Sequence, residues 1–403
     1  MGKILYVLHS GRDGGTFQTN EDLMRNIVDL HDVFLLAAES DKLELFQYSN
    51  ESFISLKIYQ RNKKWSAKHF HNNWLSYIYY DIFLNYDFDL VHIRHLIFHN
   101  FDLPRIAKKL NIPVVFSLHD FYLICPFYIL LNENKKFCKG ICNDNSINCY
   151  TSFKILDDIN SKELINEWRL NVADLFNYVD YFVTTSDFVR DLFISVYPQL
   201  SELNFEVIEH GRDFLNPEKK YYEIPSLDKP IKILCLANNL NLEKGYGVIK
   251  GIINEDTNSL LEFHFLGNCS SDITKYGINH GTFIRDEFYK KVDEIKPSFI
   301  GIFSIWPETF CHTITEAWSC GIPVLGSNIG VIQDRIIKNN GGWIIDIDDY
   351  KKSYEIILNI VKDEDCYLKI IDSISKMKLK STYEMANDYL EIYDKLLERE
   401  VIE

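Results

Sequence analysis

Short apolar runs alternate with amphipathic stretches from the start of the chain. The runs at 3–9, 33–38, 90–93, 114–119 and 181–185 have the length and the Val, Ile, Leu and aromatic content of buried strands. The polar-apolar stretches between them suit covering helices, so the pattern predicts an α/β fold built on parallel sheets. After Glu209-His210-Gly211-Arg212-Asp213 it lapses into a Pro- and Lys-containing segment. A second series then begins, with runs at 231–236, 262–266, 299–303, 323–326 and 342–345. A chain of 403 residues exceeds one ordinary core, so two Rossmann-like domains are expected, at 1–210 and 231–380, joined by a linker at 211–230. The stretch 373–400 reads as a polar, amphipathic helix carrying Tyr383, Tyr389, Leu390, Tyr393 and Leu396. Its part within 381–403 either packs back on the first domain or stands as a plain terminal helix.

Composition narrows the function classes. A formal charge of −15 argues against general nucleic-acid binding, which needs many phosphate-neutralising Lys and Arg side chains, so an anionic ligand has to be held by local groups. No apolar run approaches the length of a membrane span, and the opening apolar run is too short for a signal peptide. A cytoplasmic location with reduced cysteines is therefore expected. Within this acidic chain, residues 57–70 (Lys57 to Phe70, with Lys63, Lys64 and Trp65) concentrate basic and aromatic side chains. Such a segment suits either peripheral contact with anionic lipid at the inner face of a membrane or a solvated helix start with its aromatics turned inward. Cys125, Cys138, Cys142 and Cys149 are spaced by 13, 4 and 7 positions, which lacks the paired two-residue gap of common zinc modules. Free thiols under a loop are the favoured reading there, with zinc the alternative.

The densest chemistry lies at Trp306-Pro307-Glu308-Thr309-Phe310-Cys311-His312-Thr313-Ile314-Thr315-Glu316-Ala317, just before Gly321-Ile322-Pro323-Val324. Pro307 favours an extended backbone at Trp306, so Glu308 should leave a strand on a loop. Residues 313–320 can form a short helix stopped by Gly321 and Pro323. Between the two carboxylates, the unpaired N–H groups of the helix start and the positive end of its dipole can bind a diphosphate without a metal.

This Glu-x7-Glu spacing, followed by Ala-x-x-x-Gly-x-Pro-Val, resembles the carboxyl-half signature of the retaining glycosyltransferases of family 4. The resemblance implies the GT-B fold, two Rossmann-like domains whose parallel sheets face an interdomain cleft. It assigns Glu308 to the donor sugar, Glu316 to the ribose, and Thr309, Phe310, Cys311, His312 and Thr313 to the donor loop. Asn238 to Gly245 resembles the family's Gly-Arg…Lys-Gly segment, with Lys244 kept and Asn239 where the arginine stands. Arg212, in a linker resembling Asn-Gly-x-Asp, is the candidate substitute cation. Gly281-Thr282-Phe283-Ile284-Arg285 resembles the loop at the nucleotide base. In the amino half, the turn with Gly14, Gly15 and Thr16 resembles the family's Gly-Gly loop, although a tight turn alone explains those glycines too. Residues 91–121 resemble the family as well and put His119 at a strand's carboxyl end, where it borders the reacting centre or is a buried histidine satisfied by Asp120 or backbone.

The resemblance thus implies a glycosyltransferase that moves a sugar, with retention, from a nucleotide-diphosphate sugar to a glycan or lipid-linked acceptor. Family habit suggests bacterial surface polysaccharide or glycoconjugate synthesis, with no cofactor and no obligatory metal. The absent arginine keeps a catalytically silent GT-B partner subunit open, and a GT-B sugar-nucleotide epimerase is a further alternative.

Overall fold

The computed structural model describes residues 2–9, 15–63, 65–68, 70–142, 149, 162–214, 223–269, 272–283 and 287–398, with the side chains of 237–240 set aside. The chain divides into two compact units, the first made of 1–212 and 380–403 and the second of 213–379.

The first unit contains β1 (Lys3–Leu8), α1 (Gly15–Ile27), β2 (Asp32–Ala38), β3 (Lys42–Ser49), β4 (Ser52–Gln60), α2 (Asn73–Tyr86), β5 (Leu90–Ile93), α3 (Asp102–Lys109), β6 (Val114–Leu118), α4 (Lys162–Leu175), β7 (Tyr181–Thr184), α5 (Asp187–Val196) and β8 (Phe205–Val207). Its sheet runs β4-β3-β2-β1-β5-β6-β7-β8. The expected strands form its parallel centre. However, β3 pairs antiparallel with β2, and β4 antiparallel with β3, so this sheet is mixed rather than wholly parallel.

The second unit holds β9 (Ile231–Leu240), α6 (Tyr246–Glu255), β10 (Leu261–Cys269), β11 (Ile278–Asn279), α7 (Phe288–Ile295), β12 (Phe299–Ile302), α8 (His312–Ser319), β13 (Val324–Ser327), α9 (Gly330–Asn339), β14 (Gly342–Ile345), α10 (Tyr350–Lys362) and α11 (Glu364–Lys376). Its strands pair in parallel in the order β11-β10-β9-β12-β13-β14. Strands buried on both faces read as continuous apolar runs, which is why the sequence pattern finds them. Two apolar layers flank this sheet, one centred on Ile249, Ile252, Ile357 and Tyr367, the other on Ile314, Trp318, Ile332 and Ile336.

The tail is not one helix. The chain leaves α11 at Lys376, and α12 (Thr382–Leu397) starts at a capping box in which Ser381 Oγ accepts from Glu384 N–H and the Glu384 carboxylate accepts from Ser381 N–H. Helix α12 belongs to the first unit and packs on α1 and the central strands through Met385, Ala386, Tyr389, Ile392, Tyr393 and Leu396, a helical stripe of buried side chains. Beneath it the polar atoms are chained. Tyr393 Oη lies 3.1 Å from Tyr6 Oη and 2.5 Å from His92 Nδ1, and His92 Nε2 lies 2.7 Å from Ser117 Oγ. Burial, reinforced by the charge of Arg94, holds His92 well below its ordinary pKa, so the ring is neutral and serves as a relay of hydrogen bonds. Tyr393→Phe removes a partner from two fully buried groups and is expected to destabilise the unit by about 1–3 kcal/mol, read by urea unfolding of the intact chain.

Candidate active site

In an open parallel sheet the ligand crevice forms at the carboxyl ends of the two strands between which the order reverses. In the second unit those strands are β9 and β12. The loop after β9 carries Lys244 and the loop after β12 carries Glu308. Lys244 Nζ stands 2.6 Å from Glu308 Oε1, which also accepts from Ser304 Oγ at 2.8 Å and Trp306 Nε1 at 3.0 Å. All three donors use the same oxygen. Among the described residues none donates to Oε2, so the described anchors of the carboxylate all lie on one oxygen. Glu308 is only 6% exposed and has φ +50°, a region costly for a residue with a side chain.

Lys244 keeps 39% of its side chain exposed, and its ammonium lies 5.3 Å from the centroid of the Trp306 ring. Burial pulls its pKa down, but the charge of Glu308 more than offsets this and holds it above the ordinary lysine value. The cation is therefore present at neutral pH. Two contacts fix the loops against each other. Ile305 N–H donates to Glu243 O at 2.9 Å, and Gly245, at φ +84°, sits where a Cβ would fall 1.9 Å from Phe303 O.

Thr309, Phe310, Cys311, His312 and Thr313 form the approach to α8 and its first turn. Cys311 is the N-cap, at φ +63° and with no side-chain cap, and its carbonyl accepts from Ile314 N–H at 3.1 Å in the first turn. Burial, then the neighbouring charge of Glu308, pushes the Cys311 thiol up to about 12, which disfavours the thiolate. Glu316 opens the second turn of α8 and is 9% exposed. Ser304 and Trp306 were not foreseen as site residues, since nothing in a serine or an indole marks a carboxylate partner until the loop is folded.

Asn239 lies near the carboxyl end of β9. Arg212 belongs to the first unit, where its N–H donates to Lys380 O at 2.9 Å, whereas Lys244 and Glu308 belong to the second. Gly14, Ile284 and Arg285 lie outside the described residues, while Gly15 and Thr16 open α1.

In the first unit the strand order reverses between β1 and β5. His119 follows β6 nearby in the same sheet, yet Asp120 is not its partner. Asp120 Oδ2 pairs instead with His95 Nε2, and the His119 ring stacks on His210 with centroids 5.1 Å apart. Burial first, then the charges of Arg94 and His210, holds His119 well below its ordinary pKa, so it is a neutral imidazole able to accept or share a proton. Among its described residues the basic-aromatic segment contains no helix. Its first residues are the end of edge strand β4, where Lys57 pairs with Asp81 at 2.7 Å. Trp65 is buried and donates through Nε1 to His99 O at 2.9 Å, so this aromatic is turned inward as the second reading expects. Lys64 lies outside the described residues. Among the described residues no group of three or more His, Cys, Asp or Glu is arranged to hold a metal ion, and no helix is long and apolar enough to cross a membrane.

Residues 13–214 match the family model described as Glycosyltransferase Family 4, and residues 229–377 match Glycosyl transferases group 1. Several solved structures share the fold over 98% of this chain. Alr3699/HepE from Anabaena, in complex with UDP-glucose, is 13% identical over all of its own length, with a TM-score of 0.62. A glycosyltransferase from Rickettsia africae is 17% identical over 98% of its length, also at 0.62. Sucrose-phosphate synthase from Thermosynechococcus elongatus is 12% identical over its full length, at 0.62. No curated protein matches the chain in sequence.

Proposed function

We propose that this chain, which belongs to the GT-B glycosyltransferases described by those two family models, transfers a sugar from a nucleotide-diphosphate sugar to a glycan or lipid-linked acceptor with retention at the anomeric carbon. The observation that carries the reading is the half-anchored carboxylate of Glu308 paired with Lys244 at the switch point of the second unit. The second carboxylate oxygen of Glu308 is suited to a donor-sugar hydroxyl, Lys244 and the first amides of α8 to the leaving diphosphate, and Glu316 to the ribose. No metal is needed where a lysine and a helix start already balance the developing charge. His119, neutral and in the first unit, is assigned to the acceptor side.

Retention is inferred from family membership. No side chain is identified as a nucleophile, so the reading is front-face transfer. A UDP-linked hexose is the first donor to test, because HepE is described with UDP-glucose. A thermal-shift panel of UDP-, GDP- and ADP-sugars is expected to single out one base, since ligand at a hundred times Kd stabilises the folded state by about 2.7 kcal/mol. The matching donor should then be hydrolysed slowly without acceptor, and Glu308→Ala should abolish the release of nucleotide diphosphate. A chain that shifts with no activated sugar, or a release that survives Glu308→Ala, would reject the proposal.

A further inference from the structure

Arg335 is a guanidinium placed among apolar neighbours. It shares the inner face of α9 with Val331, Ile332 and Ile336 and is itself 8% exposed. Its hydrogen bonds reach the donor loop. Nη1 donates to the carbonyl oxygens of Phe310 at 2.8 Å and Cys311 at 3.0 Å, and Nη2 donates to Thr315 Oγ1 at 2.9 Å. The guanidinium lies 4.0 Å from the centroid of the Phe310 ring and 5.4 Å from that of Trp318. A charge so deeply buried is costly unless its donors are used, and here they go to consecutive backbone carbonyls.

That choice of acceptors has a geometric result. A trans peptide is planar, with its N–H opposed to its C=O, and the described backbone has no cis bond. Fixing the oxygens of residues 310 and 311 toward α9 therefore turns the N–H groups of Cys311 and His312 to the opposite side. Those two belong to the N-cap and first residue of α8, the end of a helix at which N–H groups point outward along the axis. The same clamp holds Cys311 in its left-handed conformation, which a side-chain-bearing residue adopts only under constraint.

We propose that Arg335 is a positioning residue for donor binding, setting the peptide groups 310–311 and 311–312 so that their N–H groups face the pyrophosphate of the nucleotide sugar. This rests on the reading of the α8 start as the donor site. It also answers the absence of an arginine at position 239. The positive charge is supplied from behind the loop through polarised peptides rather than by a side chain laid on the phosphates.

The test uses the full-length protein and calorimetric titration with UDP, GDP and ADP and with the corresponding monophosphates. The base is the one that wild type prefers. Arg335→Leu and Arg335→Lys are expected to weaken the diphosphate by about tenfold, the size of one charge-assisted contact, while the monophosphate changes little, so that the ratio of the two affinities collapses. A merely structural arginine would lower the melting temperature and leave that ratio as in wild type. An unchanged ratio in a folded variant overturns the inference, and Arg335→Lys serves if Arg335→Leu does not fold. Failure of wild type to bind any of the three diphosphates would instead remove the donor-site reading and this inference with it.

Discussion

Glu308→Gln lowers kcat by about 10²- to 10³-fold, while the melting temperature stays within a few degrees of wild type. The substitution is nearly isosteric, and the amide oxygen can still accept from Ser304 Oγ and Trp306 Nε1, so the loop keeps two of its three anchors. What disappears is the negative charge opposite Lys244 and the second carboxylate oxygen, to which no described residue donates. If that oxygen meets the donor sugar only as charge develops, the loss falls on kcat, and the donor KM moves by less than about threefold. Steady-state kinetics with the donor found by thermal shift decides it. A variant with a third or more of wild-type kcat would show that Glu308 is a structural carboxylate.

Gly330→Ala, at a residue expected to touch no substrate, should cost about 3 kcal/mol of stability and reduce kcat/KM by more than tenfold. Gly330 opens α9 at φ +56°, and a Cβ there would lie 2.2 Å from Pro307 O, a backbone atom that cannot swing aside. Val331 N–H already donates to that same oxygen at 3.1 Å. Any relief must displace Pro307, and with it Glu308, the next residue. Urea unfolding gives the first quantity, and kinetics at a temperature where the variant is fully folded gives the second. Wild-type kcat/KM in a destabilised but folded variant would show that the strain relaxes away from Glu308.

Much of this architecture is legible in the amino acids because both sheet centres consist of strands buried on two faces. The β3–β4 hairpin escapes that reading for a physical reason. Lys42–Ser49 and the edge strand Ser52–Gln60 mix polar with apolar positions, and their turn at Asn50 and Glu51 takes positive φ at both residues without a glycine to mark it. The start of α12 is encoded as Ser381-x-x-Glu384, yet the amphipathic pattern runs on across it and hides the break. At the site, the types and spacing of Glu308 and Glu316 are readable. Their neighbours are not, since Lys244 meets Glu308 only because β9 and β12 are adjacent in the sheet. Arg335 leaves one faint signal, a lone cation in an otherwise apolar helical stripe, whose meaning depends on which carbonyls lie opposite.

The first unit is assembled from two separated stretches of chain, and α12 is made after the whole of the second unit. During translation at typical speeds, Tyr6, Leu23, Met24 and Ile27 therefore wait roughly ten to thirty seconds, after the rest of their unit has been made, for the helix that covers them. Over that interval the nascent amino-terminal half presents a greasy groove that folding cannot yet close, a natural target for ribosome-associated chaperones. A ribosome stalled before residue 380 should hold such a helper, and one released after α12 emerges should not.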